Sequence, residues 1–60
     1  MIYTFALWIA NSEKKTRVSM YRETSARNER NAYKNIIEDA YKYYMHRGDT
    51  LDKVVLIEYK

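Results

Sequence analysis

The chain has 60 residues, one glycine, one histidine and neither cysteine nor proline, and its formal net charge is +3. This length predicts a single domain, 1–60. The missing cysteines exclude disulfides, iron–sulfur clusters and thiolate zinc sites, and a lone histidine argues against a metal cage, so we expect no cofactor. Small domains without these supports are commonly stabilised by association, which is the device we expect here.

The apolar content is that of a folded, soluble protein. Hydrophobic residues make up 47% of the chain, too many for a disordered segment of this charge. The sequence shows no charged-then-apolar leader and no apolar run of about 20 residues. We expect a soluble, cytoplasmic protein that does not bind a membrane.

The positive charge is concentrated in one part of the sequence. From Glu13 to Arg30 there are six basic and three acidic residues, whereas from Asn31 to Lys60 five of each cancel. The basic residues of the first stretch are Lys14, Lys15, Arg17, Arg22, Arg27 and Arg30. They predict a basic patch, which keeps nucleic acid among the candidate partners.

Alternating hydrophobicity predicts two strands at the start of the chain. From Met1 to Ala10 both faces are largely apolar, which is typical of a central strand. One face carries Tyr3, Phe5, Leu7 and Ile9, and the other carries Ile2, Thr4, Ala6, Trp8 and Ala10. The polar stretch 11–15 has the length of a hairpin turn. From Thr16 to Ala26 apolar and polar residues alternate, as in an edge strand with one solvent-exposed face.

One long helix is predicted from Asn28 to Arg47. Asn28 is the preferred N-cap, with Ser25 as a rival, and Glu29 suits the first turn. The apolar half of the helical wheel carries Ala32, Tyr33, Ile36, Ile37, Ala40, Tyr41, Tyr43 and Tyr44, which are assigned to the core. Aromatic residues at this spacing favour a core over a platform for stacking nucleic-acid bases.

The end of the helix is predicted from the only glycine. Gly48 is expected at the left-handed C′ position, with His46 and Arg47 interacting with the C-terminal helix dipole. Met45 falls on the polar half of the wheel. After the polar stretch 49–52, the run Val54–Ile57 predicts a third strand that is apolar on both faces.

The order of elements predicts an α+β fold of the ββαβ type. The hairpin makes strands one and two antiparallel, and the helix returns the chain so that strand three runs in the direction of strand two. A right-handed crossover then places strand three beside strand one. We expect a three-stranded mixed sheet in the order 2-1-3, with the helix on one face.

A single helix leaves the second face of such a sheet uncovered. If the face with Phe5 and Leu7 meets the helix, the uncovered face carries Ile2, Ala6 and Trp8. Strand three adds either Val54 and Leu56 or Val55 and Ile57 to it. Strand three is also expected to be an unprotected apolar edge. Both features predict a partner: another protein, or a second copy bound through the sheet face or the edge of strand three.

Nothing in the sequence forms a catalytic motif, so we expect a protein that is not an enzyme. His46 is the only candidate general base, and no hydroxyl, thiol or carboxylate pair accompanies it in a known spacing. The acidic pairs Glu38–Asp39 and Asp49…Asp52 are interpreted as a solvated helix face and a polar loop. They lack the ligand density of a metal site.

Two resemblances bear on function. The stretch Ala26–Ala32, which enters a helix after a hairpin, is similar to the strand-to-helix junction of the archaeal LX ribosomal protein, and this implies RNA binding. Over its whole length the chain resembles the Dmd antitoxin family of tailed coliphages. It shares their length, aromatic first strand, element order and scattered positions such as Trp8, Ala32 and Glu38.

The second resemblance implies a phage-encoded inhibitor in the cytoplasm of the host cell. Proteins of the Dmd family bind and silence host RNase toxins of the RnlA and LsoA type. The present chain departs from the family because its helix has no tryptophan and its net charge is positive. We therefore expect it to wedge into a toxin and block the active cleft, rather than to act as an acidic mimic of RNA.

The leading functional hypothesis is thus a small non-enzymatic antitoxin. Trp8 is the first expected anchor, the outer rim of the helix is the second, and two arginines near the helix start are expected to steer the approach. The expected partner-binding residues are Trp8, Asn31, Lys34, Asn35, Glu38, Arg27 and Arg30. The alternative is a small basic RNA- or DNA-binding module that uses Lys14, Lys15, Arg17, Arg27 and Arg30.

Overall fold

The structure, a computed structural model, describes all 60 residues. The elements are β1 (Ile2–Asn11), β2 (Thr16–Ser25), α1 (Glu29–Asp39), a π-helical segment (Ala40–Tyr44) and β3 (Asp49–Tyr59). The three strands form one sheet in the order β2-β1-β3. The α+β fold, the strand order and the central position of β1 are confirmed.

The prediction of a mixed sheet is wrong, because β1 pairs with both neighbours in antiparallel fashion. The strand directions explain this. A strand that runs in the direction of β2 and lies beside β1 must be antiparallel to β1, so the helical connection does not create a parallel pair.

The β1–β2 hairpin is regular along its whole length. Its register runs without interruption from Ile2 opposite Ser25 to Asn11 opposite Thr16. In the turn, the backbone N–H of Lys14 donates to Oδ1 of Asn11 at 2.8 Å. Lys15 adopts a left-handed conformation with φ 54°. An asparagine that bonds the backbone of its own turn is a common way to close such a hairpin.

The start of the helix agrees with the prediction. Asn28 is the N-cap, and its side chain accepts a hydrogen bond from the backbone N–H of Asn31 at 2.9 Å. This bond satisfies one of the N–H groups that the first helical turn leaves without a partner. Ser25 belongs instead to β2.

The predicted helix end at Arg47 is wrong, because regular α-helix stops at Asp39 and a π-helical segment follows. The backbone N–H of Met45 donates to the carbonyl oxygen of Ala40 at 2.9 Å, the five-residue spacing of a π-turn. This wider turn rotates the later side chains away from their α-helical positions. Tyr41 is 63% exposed and Tyr43 is 62% exposed, so their assignment to the core is wrong.

The residues after the π-helical segment also lie elsewhere than predicted. Met45 is in extended conformation and packs against the core, although the helical wheel placed it on the polar side. His46 and Arg47 follow the helix and therefore do not lie in its last turn. Gly48 does have the predicted positive φ, 88°, but it lies in the turn before β3 and not at C′.

The core lies between the sheet and the helix. The predicted inward face of β1 is confirmed, since Tyr3, Phe5, Leu7 and Ile9 are buried. The ring of Tyr33 meets Phe5 edge-on with centroids 4.7 Å apart. The helical side of the core consists of Ala32, Ile36 and Ala40, all buried, and β3 adds Leu51, Val54 and Leu56. This assigns Val54 and Leu56, and not Val55, to the covered face.

The third strand is longer and less regular than predicted. The stretch 49–52, expected as a loop, belongs to β3. Its register against β1 shifts between Thr4 and Phe5 and again between Trp8 and Ile9. Such bulges bend an edge strand and make it a poor template for a further strand. The β3 edge is therefore better protected than its apolar sequence indicates.

No helix has the length and apolar character needed to cross a membrane.

Candidate protein-binding site

The face of the sheet opposite the helix forms a continuous surface, which we call the open face. Side chains alternate along each strand, and the register fixes which of them lie side by side. The open face consists of Ile2, Thr4, Ala6, Trp8 and Ala10 of β1, Arg17, Ser19, Tyr21, Glu23 and Ser25 of β2, and Thr50, Lys53, Val55, Glu58 and the following Lys60 on the β3 side. No helix or loop packs against it.

The middle of the open face is apolar and aromatic. Trp8 is 36% exposed and Tyr21 is 69% exposed, whereas the small Ala6, which pairs with Tyr21 from β1, is almost covered. Val55, the neighbour of Ala6 on β3, is half-buried. The predicted position of Trp8 on the face away from the helix is confirmed. Its part in binding stays a prediction.

Charged residues on the open face lie in rows on both sides of the apolar centre. Lys53 lies beside Trp8, with its Nζ 5.4 Å from the ring centroid, and Arg17 lies one row further toward the hairpin turn. On the other side of the apolar centre, Thr4 is flanked by Glu23 on β2 and Glu58 on β3. The face therefore has a basic end, an apolar centre and an acidic row, and beyond this row Lys60 lies beside Ile2.

The predicted helix-rim residues lie on the opposite side of the molecule. Asn31, Lys34 and Glu38 are exposed on α1, which covers the other face of the sheet. Asn35 is half-buried, and its Nδ2 donates to Oγ1 of Thr24 at 3.4 Å and to the carbonyl oxygen of Ser25 at 3.5 Å. Asn35 thus fixes the helix to β2. A flat partner surface cannot contact Trp8 and the helix rim together.

The basic residues of the first half of the chain lie at both ends of β2. Lys14, Lys15 and Arg17 lie at the hairpin turn, whereas Arg27 and Arg30 lie beyond the other end of the strand. Ten residues of strand separate the groups by about 30 Å. Arg22 lies between them but is half-buried, with its guanidinium carbon 4.6 Å from the ring centroid of Tyr44. The charges therefore form two groups and not one patch.

A polar cluster that sequence reasoning missed joins the hairpin turn to the start of β3. Asn11, 7% exposed, donates from Nδ2 to Oδ1 of Asp49 at 2.7 Å and to the carbonyl oxygen of Arg47 at 3.3 Å. The second carboxylate oxygen of Asp49 accepts from the backbone N–H of His46 at 2.7 Å. The His46 N–H, followed by Asn11, lowers the pKa of Asp49. An asparagine at the end of a strand can be recognised in the local sequence. Its partner Asp49 cannot be found in this way, because it lies 38 residues away.

This cluster is packed tightly around Gly48. A Cβ atom on Gly48 would lie 3.2 Å from Cδ of Glu13 and 3.3 Å from Nδ2 of Asn11. The positive φ and this close approach together explain the glycine. The hydrogen bonds of Asp49 come from the Asn11 side chain and from the backbone N–H of His46, and none comes from the His46 imidazole.

No group of three or more His, Cys, Asp or Glu side chains is placed to hold a metal ion. Comparisons with protein-family models, curated proteins and solved structures find no match. The resemblance to the Dmd family therefore stays a prediction, and the open face is the feature on which a functional proposal has to rest.

Proposed function

We propose that this protein is a small non-enzymatic inhibitor that binds a host RNase toxin through its open face and blocks the active cleft. One observation carries the proposal: a sheet face with exposed aromatic side chains at its centre has no covering layer. Small soluble proteins seldom leave such a patch exposed unless it binds something.

The residues at the centre are of the kind that concentrate binding energy. Tryptophan and tyrosine are enriched at interface hot spots, and Trp8 and Tyr21 lie on neighbouring strands of a regular hairpin. Their backbone is held by the paired strands, so little conformational entropy is lost when a partner binds. Trp8 is partly exposed, and Nζ of Lys53 lies 5.4 Å from the centroid of its ring.

The acidic row supports an RNase as the target class. Enzymes that cleave RNA bind a polyanion and line their clefts with cations. Glu23 and Glu58 would face such cations at one end of the open face, while the apolar centre supplies the contact area. The chain is also narrow, 37 × 18 × 13 Å, which suits insertion into a cleft.

The alternative of a nucleic-acid-binding module has less support from this geometry. The two basic groups lie about 30 Å apart, and the acidic row lies on the face that would have to approach phosphates. Arg27 and Arg30 remain suited to steering the approach to an acidic partner surface. The helix rim with Asn31, Lys34 and Glu38 is the second candidate surface.

The proposal is tested with a purified toxin of the RnlA or LsoA type and a labelled RNA substrate. We expect cleavage to stop near a one-to-one ratio of inhibitor to toxin, with the inhibitor recovered unchanged. RNA bound by the inhibitor alone, with no complex between inhibitor and toxin, would favour the nucleic-acid module. Full cleavage at a large excess of inhibitor would overturn the proposed target class.

A further inference from the structure

We infer that, in the absence of another partner, a second copy of this chain covers the open face and forms a symmetric, reversible dimer. This inference goes beyond the proposed function and does not rest on it. It depends on the order of charges along the open face, which is complementary to itself when one copy is turned end to end.

The pairing follows from the register. Going along β1, the rows across the open face are centred on Ala10, Trp8, Ala6, Thr4 and Ile2. Homodimers are commonly isologous, so a two-fold axis relates the copies. If the axis runs across the strands through the Ala6 row, the Trp8 row of one copy lies over the Thr4 row of the other. Each strand then lies over its own counterpart.

That arrangement brings opposite charges together on β3. Lys53 belongs to the Trp8 row and Glu58 to the Thr4 row of the same strand. Lys53 of one copy therefore lies over Glu58 of the second copy, and symmetry repeats the pair. On β2, Glu23 lies over the neutral Ser19. Aligned sheets pack about 10 Å apart and within about 30° of each other, a gap that lysine and glutamate side chains can span together.

The other simple two-fold arrangement is opposed by the charges. An axis along the strands keeps each row on itself and exchanges β2 with β3. Glu23 would then lie over Glu58 of the second copy, and symmetry would repeat this contact. Like charges opposite each other disfavour a pairing strongly. Charge alone thus selects the end-to-end arrangement.

The area indicates a weak dimer. Three strands about 4.8 Å apart and ten residues of about 3.3 Å rise give each face roughly 450 Å², or roughly 900 Å² for the pair. Stable complexes bury more than this, whereas weak reversible contacts lie in this range. Such a dimer would dissociate on dilution and release the face for a stronger partner. The bulged β3 edge and the charged β2 edge leave the face as the favoured contact.

The test is sedimentation equilibrium of the purified chain over a wide concentration range, with charge variants on both sides of the sheet. Lys53→Glu and Glu58→Lys, each alone, should weaken dimerisation by at least about tenfold, because each puts like charges opposite each other twice. The double variant Lys53→Glu/Glu58→Lys should return to within about threefold of the wild type. Lys42→Glu, the same charge change at an exposed position of the π-helical segment, should have no effect. Circular dichroism checks that every variant is folded.

Three outcomes would overturn the inference. If the wild-type chain stays monomeric at millimolar concentration, the open face does not bind a second copy and its partner is a different protein. A dimer unaffected by either single variant uses another surface. Weakening by Lys42→Glu as well, or a double variant no better than the singles, would show that net charge and not the Lys53–Glu58 pairing controls association.

Discussion

Asn11 and Asp49 show how a few polar atoms can hold together two distant parts of a small chain. Asn11 uses its carbonyl oxygen for the hairpin turn and its amide for the start of β3. Asp49 accepts two hydrogen bonds, one from the Asn11 amide and one from the backbone N–H of His46. An apolar residue at position 11 would leave the Lys14 N–H and the Arg47 carbonyl without these partners.

The cluster makes stability depend on pH through Asp49. Its pKa is lowered on folding, first by the His46 N–H and then by Asn11. The native state therefore favours the carboxylate, and its contribution is complete above the unfolded pKa near 3.8 and is lost as pH falls through the lower folded value. In urea unfolding, the wild type should exceed Asp49→Asn in stability at about pH 6 and lose much of that advantage by about pH 3.

The matched control is Asp52→Asn, which removes an exposed carboxylate from the same strand. The stability difference between the wild type and Asp52→Asn should not shrink between about pH 6 and about pH 3, as the difference for Asp49→Asn does. An advantage of the wild type over Asp49→Asn that is the same at both pH values would show that the charge of Asp49 plays no part.

Trp8 is the residue whose removal should damage binding most. Trp8→Ala is expected to weaken the complex with the partner by about 2 kcal/mol or more, the scale of an interface hot spot. Because Trp8 lies on the open face and not in the core, helix content should change little. Titration calorimetry gives the affinity and circular dichroism the fold, with Lys42→Ala, at an exposed position outside both candidate surfaces, as the control. A folded Trp8→Ala variant with normal affinity would move the site to the helix rim.

His46 should be dispensable for function. Its backbone N–H contributes to the Asp49 cluster, and alanine keeps that group. We expect His46→Ala to inhibit the partner as well as the wild type does, measured in the same RNA cleavage assay. Loss of activity in a variant with an unchanged unfolding midpoint would reopen the question of an enzymatic role.

Among the elements, the helix is where local sequence and tertiary packing disagree. Up to Asp39 the Asn28 cap agrees with the structure, and so does the apolar spacing except at Ile37, which the helical wheel assigns to the core and which is 37% exposed. After Ala40 the tyrosines keep α-helical spacing, but the backbone adopts a π-turn that exposes Tyr41 and Tyr43. Helical spacing assigns a face only while the number of residues per turn is constant.

Ala40 packs in the core between helix and sheet, as the wheel predicts. It has no exposed surface and lies in the core beside Ile36. Ala40→Leu should destabilise the fold by about 1–3 kcal/mol, because the larger side chain forces the helix away from β1. Urea unfolding measures this loss of stability. The control is Lys42→Leu, at an exposed position of the same π-helical segment. An unchanged midpoint for Ala40→Leu would mean that the helix is not docked through this residue.

The elements that could be predicted are those specified by neighbouring residues. Alternation locates β1 and β2, and the same alternation places Trp8 and Phe5 on opposite faces. The π-turn, the length of β3 and its bulges depend on contacts with β1 from far along the sequence, such as Ile9 with Leu51. Those contacts have no local signature. Alternation also predicts Trp8 and the helix rim as a first and a second surface, and in the structure they lie on opposite sides of the sheet.

At the scale of the whole molecule, salt distinguishes the two functional hypotheses. A contact through the apolar centre of the open face should lose about tenfold or less in affinity between 50 and 200 mM salt. A module that contacts six or more phosphates through its basic residues should lose about a thousandfold. Fluorescence anisotropy with the toxin and with a labelled RNA measures both. A steep salt dependence for the toxin complex would contradict binding through the apolar centre.

The pairing of Ile2 with Lys60 has a consequence for the order of folding. Their backbones exchange two hydrogen bonds, of 2.9 and 2.8 Å, so the sheet is completed by residues from opposite ends of the sequence. The β1–β2 hairpin needs only a short loop to close and can form within microseconds, whereas the β1–β3 pairing must wait for a far longer loop. In that interval the second edge of β1, the most apolar strand, has unpaired amides. In a circular permutant, a short linker joins the two chain ends and the hairpin turn is cut. We expect β3 and β1 to form the early hairpin in this variant, and β2 to pair with β1 later.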